Sequence, residues 1–215
     1  MNLVYVLTIL VVLFGSVPFL YFLLFRRRKT LENKSVLPYL ILTFFASLYE
    51  IFGTLIIGWN VSNWFFIYNL LSFLCIYYFY YLELKKSYKS FFLFFFFSFL
   101  LLLLHLIYSH SLDDFLIISA KFHLFITVFI LLATLFWFHN LINKEIKNNM
   151  LNYGTFYFIS GFVLYYCGTL FLFLMGNGLY MSNSGLFFNY WSINIILNLV
   201  MYIFLIIGLW KMKDN

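Results

Sequence analysis

Seven apolar runs, each about as long as a bilayer is thick, constrain this chain more than any other feature. A hydrocarbon core of ~30 Å takes about 20 helical residues to cross. The runs are Leu3 to Phe25, Leu37 to Trp59, Trp64 to Leu84, Ser90 to Tyr108, Phe115 to Leu141, Met150 to Met175, and Leu186 to Trp210. The linkers are short, so neighbouring helices should pack antiparallel and no soluble domain fits between them. Composition agrees: 65% of the 215 residues are hydrophobic and only 9% are charged, against about one quarter charged in soluble chains. The expected fold class is therefore all-α: a polytopic membrane protein with one domain over residues 1–215, a bundle of about seven transmembrane helices. The first run should stay as a helix rather than be removed as a signal peptide, because its basic cluster follows it and no small-residue cleavage site ends it.

Orientation follows from the basic residues. Arg26, Arg27, Arg28, Lys29 and Lys34, then Lys85, Lys86 and Lys89, then Lys144 and Lys147, then Lys211 and Lys213 account for twelve of the thirteen Lys and Arg, and all belong to one side. The opposite linkers have none and carry Asp113 and Asp114. The positive-inside bias then places the N-terminus outside and the C-terminus in the cytoplasm, with an odd number of crossings. The same clustering removes nucleic acid as a partner despite the net charge of +6. The basic anchor Arg26, Arg27, Arg28 and Lys29 points instead to anionic lipid headgroups or a cytoplasmic protein. A composition rich in Phe, Leu, Ile, Tyr, Asn and Lys suggests an AT-rich bacterial genome, hence an inner (plasma) membrane protein. The remaining candidate partners are another membrane protein and a second copy of the chain.

Polar groups inside the runs are costly in lipid and usually face a bundle interior. Glu50, Asn69, Lys121, His123, Asn194 and Asn198 are the candidates for a ligand or ion cavity. At ~1.5 Å per residue, Lys121, His123, Asn69 and Asn194 fall roughly 8–12 Å below the outer surface and Glu50 about 13 Å. Glu50 and Lys121 are expected to pair, since an isolated buried charge is unfavourable. That pair could pin two helices or form a ligand or proton site, and either member could instead snorkel separately. His123 is either a hydrogen-bonded core residue or a pH sensor. Gly154, Gly161 and Gly168, seven residues apart, offer a groove for helix packing. Pro18 should kink the first helix, and Pro38 is read as a first-turn proline. Tyr77, Tyr78, Tyr80 and Tyr81 read as an interfacial belt. Cys75 and Cys167 read as small buried hydrophobes. His105, His110 and His123 lack the close spacing of a metal site, and no cofactor is expected. No G-x-S-x-G, paired-glutamate, histidine-box or Asp-rich motif suggests catalysis.

Several family comparisons turn on single residues. Rhodopsins bind retinal through a lysine in the last helix, where this chain has none before Lys211. Small sugar transporters carry a Pro-Gln signature, whereas Pro18 precedes Phe19 and the fifth run has no proline. Vitamin-importer subunits use an alanine-rich face, and here only Ala46, Ala120 and Ala133 occur. Phe156-Tyr-Phe-Ile-Ser-Gly161 and Tyr190-Trp191 are similar to phrases in uncharacterised small bacterial polytopic membrane proteins. By topology and hydrophobic pattern the whole chain resembles the seven-helix membrane region of bacterial sensors and receptors. That resemblance implies a non-enzymatic, receptor-like or accessory subunit in signalling, whose output would pass to a separate partner because the chain stops at Asn215. The alternative is a small secondary transporter using Glu50 as a proton or cation site. A membrane enzyme acting on lipid comes third.

Overall fold

The computed structural model describes residues 3–24, 32–58, 61–84, 88–109, 114–143 and 150–213. The helices are α1 (Leu3–Leu24), α2 (Glu32–Leu48, continuing as a π-helix over Tyr49–Ile57), α3 (Val61–Leu84), α4 (Lys89–Ser109), α5 (Phe115–Asn143), α6 (Gly154–Ser182) and α7 (Ser184–Lys213). Among the described residues there is no strand. All seven helices contain a segment long and apolar enough to cross a membrane, as in a multi-pass membrane protein.

Six of the helices close a ring. Each packs chiefly on its two neighbours in the order α1, α2, α3, α5, α6, α7 and back to α1, while α4 sits outside. A phenylalanine cluster holds α4 in place: Phe99 stacks on Phe73 of α3 at 4.0 Å, and Phe91, Phe92 and Phe95 surround Phe129 of α5. Its other face exposes Leu93, Phe94, Phe97, Leu101, Leu104 and Ile107, a surface suited to lipid tails.

Lipid offers little hydrophobic drive for helices to associate, so close van der Waals approach matters more. The α6–α7 contact shows how that approach is made. A Cβ at Gly154 would meet the Met212 side chain and the Gly208 carbonyl, one at Gly161 would meet Phe204, and one at Gly168 would meet Leu197. Gly208, not singled out by the sequence, answers Gly154: a Cβ there would strike the Phe158 ring.

Several boundaries differ from those that hydropathy suggests. The expected last outer linker is mostly helical, because α6 runs through Gly176 and Gly178 to Ser182. Asn183 alone breaks it, with extended backbone (φ −160°, ψ 101°); its N–H donates to Leu179 O and its carbonyl accepts from Phe187 N. Helix α2 starts at Glu32, so Pro38 lies inside it rather than in a first turn. The reason is local: the polar stretch ahead of the apolar run is itself helical, with Ser35 bonded to Glu83 of α3 at 3.0 Å. Pro18 lies inside α1 as expected. Met150–Asn152 is a 3-10 turn ahead of α6. The tyrosine belt is split: Tyr78 and Tyr81 are exposed, but Tyr80 is fully buried and bonded to Thr134 at 2.7 Å. Cys75 and Cys167 are free thiols, half-buried.

Candidate functional site

The half of the ring nearest the start of α1 holds a cavity of about 160 Å3. Every ring helix contributes to its wall and α4 does not. Thr8 and Val11 come from α1, Ala46, Ser47 and Glu50 from the end of α2, and Trp64, Phe65, Tyr68 and Asn69 from the start of α3. His123 comes from α5, Tyr165, Tyr166 and Phe173 from α6, and Trp191, Asn194, Ile195, Asn198 and Tyr202 from α7. Below it the ring is filled. Tyr39, Phe162 and Met201 are fully buried and interlock: the Tyr39 hydroxyl donates to Met201 Sδ at 3.4 Å, and its ring meets Phe162 edge-on at 4.9 Å.

Glu50 stands at the second position of the π-helix that completes α2. π-Helical turns are rare and occur often at functional sites, because they shift side chains off the α-helical register. The segment stops at Gly58, whose left-handed backbone (φ 74°, ψ 33°) returns its N–H to the Gly53 carbonyl. Only glycine takes that conformation without steric cost. Nearby, Tyr49 stacks on Trp64 at 4.2 Å, joining the π-helix to α3.

Hydrogen bonds decide what the cavity can still offer. His123 Nε2 lies 3.2 Å from the Tyr166 carbonyl and 2.8 Å from Thr169 Oγ1. A carbonyl only accepts, so the proton is assigned to Nε2; the Thr169 hydroxyl donates to Tyr165 O at 2.7 Å and so accepts from the same N–H. Both faces of the imidazole are covered, by Phe173 at 4.1 Å and Tyr166 at 4.8 Å. The two amide hydrogens of Asn69 go to Phe65 O at 2.8 Å and Ser119 Oγ at 3.2 Å. Asn194 Oδ1 accepts from the Tyr165 hydroxyl at 3.1 Å. Asn198 leaves its Oδ1 buried with no hydrogen-bond partner.

Of the six polar residues singled out by the sequence, the cavity wall brings together Glu50, Asn69, His123, Asn194 and Asn198. Lys121 is not in the wall, and the wall holds no Lys or Arg among the described residues. The expected Glu50–Lys121 pairing therefore does not form the site. Helix geometry explains it: at ~100° per residue, Lys121 and His123 lie about 200° apart around α5. The aromatic wall of Trp64, Tyr68, Trp191 and Tyr202 is not apparent from the sequence, nor is Thr169. Arg26, Arg27, Arg28 and Lys29, with His110 and Asp113, lie outside the described residues. In comparisons with known proteins, no family model, curated protein or solved structure matches the chain.

Proposed function

We propose that this chain is a non-enzymatic protein of a bacterial plasma membrane, N-terminus outside and C-terminus in the cytoplasm. In this reading it works as a receptor-like or accessory subunit by holding a small molecule in the ring cavity. One observation carries the reading: five residues with carboxyl, amide or imidazole side chains, far apart in sequence and drawn from four helices (Glu50, Asn69, His123, Asn194 and Asn198), share one cavity wall. Polar groups in lipid are retained where they are used. The volume suits a small guest, since a cavity of about 150 Å3 accommodates benzene.

The transporter reading draws on Glu50 standing in a π-helix within the cavity wall. Against it, the Tyr39–Phe162–Met201 layer closes the ring below the cavity, so passage would require that layer to open.

Native mass spectrometry of protein released in mild detergent tests the proposal. The expected result is a small-molecule adduct on the wild type that is lost in Ala46→Phe, which fills the cavity without removing a polar group. An adduct-free wild type, or the same adduct on both proteins, would count against a ligand in this cavity.

A further inference from the structure

We infer that the cavity is built for a small organic cation, specifically an ammonium group carried on a compact apolar body. The inference rests on the ligand-site reading above and adds a chemical class to it.

Part of the unused valence in the wall is acceptor. Asn69 has both amide hydrogens engaged, which leaves Oδ1 as its remaining group. His123 has its assigned proton engaged through Nε2, which leaves Nδ1 as an acceptor. Asn198 Oδ1 is buried and unbonded. Glu50 adds a carboxyl group to the same wall. Asn69 Oδ1, His123 Nδ1 and the Glu50 carboxyl are left to accept from a guest, whereas Asn198 Oδ1 is sealed within the packing. On the donor side the amide nitrogens of Asn194 and Asn198 are uncommitted, and the phenols of Tyr68 and Tyr202 can act either way. The open acceptors suit a ligand that brings N–H donors, and charge decides between ligand classes.

Charge points the same way. The wall carries one acidic residue and no Lys or Arg among the described residues. A half-buried carboxylate gains from a countercharge close to it, and here a ligand would bring it. Trp64, Tyr68, Trp191 and Tyr202 complete the wall with the ring types that attract cations through their π-electrons. A bare metal ion would leave most of a cavity of about 160 Å3 unused and would gain little from indole. An anion would meet Glu50 with no basic group to offset it.

The test is binding to nanodisc-embedded protein at neutral pH, with empty nanodiscs subtracting partition into lipid. The probes are benzylammonium, its neutral isostere benzyl alcohol, benzoate, and sodium chloride. We expect benzylammonium to bind at least ~10-fold tighter than benzyl alcohol, about 1.4 kcal/mol, and benzoate not to bind. Glu50→Gln should reduce the preference to within about threefold while benzyl alcohol still binds. Asn69→Leu should weaken benzylammonium more than benzyl alcohol. The wild-type probe series decides the matter even if neither variant folds. Equal binding of amine and alcohol would leave the cavity as a ligand site and overturn the cation inference. Preference for benzoate, or a sodium response lost in Glu50→Gln with no amine response, would overturn it too. Failure of every probe would take down both readings together.

Discussion

His123 shares its Nε2 proton between the Tyr166 carbonyl and the Thr169 hydroxyl, and its ring lies between Phe173 and Tyr166. Replacing it removes the donor and leaves buried acceptors on α6 to be satisfied otherwise. His123→Leu should therefore lower stability by about 1–3 kcal/mol, read as a drop in the thermal midpoint of purified protein. Thr169→Val removes one acceptor of that proton and the hydroxyl's own bond to Tyr165 O, but leaves His123 its bond to the Tyr166 carbonyl; it should cost less, about 1 kcal/mol. Equal midpoints for all three proteins would show that this network does not bind α5 to α6. These residues also show what the sequence discloses and what it hides. A polar residue in an apolar run is conspicuous, and counting residues converts its position into depth. Residue counting alone thus puts Glu50, Asn69, His123 and Asn194 at nearly one level. Depth says nothing of azimuth, so it also groups Lys121, two residues from His123, with a cavity whose wall it does not join. The aromatic wall is hidden for another reason: Phe, Trp and Tyr make up 26% of the chain, so Trp64 or Tyr202 stands out from nothing.

At the scale of helices, apolar length shows where the membrane segments lie but not how each one ends. The π-helix over Tyr49–Ile57 and the single-residue break at Asn183 depend on backbone hydrogen bonding, which hydropathy does not report. Glycine spacing on α6 is readable in the sequence, whereas its counterpart Gly208 requires knowing where α7 crosses. The crossing makes a contrast that can be measured. Gly154→Leu would drive a side chain into the Met212 side chain and the Gly208 backbone, and should destabilise by about 1–3 kcal/mol. A Cβ at Gly178, in the same helix, meets nothing within 4 Å. Gly178→Ala should thus be neutral or stabilise by up to ~1 kcal/mol through helix propensity. Chemical or thermal unfolding in detergent checks both. A Gly154→Leu protein as stable as Gly178→Ala would mean that α7 does not rest on α6 at this point.

The whole molecule combines a six-helix ring, a peripheral α4, and a cavity confined to one half of the ring. Which face of the membrane that half occupies is a proposal that rests on the twelve basic residues on the other side. Reporter fusions test it: green fluorescent protein after Asn215 should fluoresce, and alkaline phosphatase inserted after Leu112 should be active. The reverse pattern would invert the assignment.

One labelling experiment joins cavity and orientation. In a Cys75→Ser, Cys167→Ser background, Asn194→Cys places the only thiol of the chain in the cavity wall. A small, membrane-impermeant, positively charged methanethiosulfonate reagent is then added either to intact cells or to inverted vesicles. A ligand cavity open to the outer face predicts modification from the outside of cells and protection in inverted vesicles. Modification only from the cytoplasmic face, or from neither face, would contradict it.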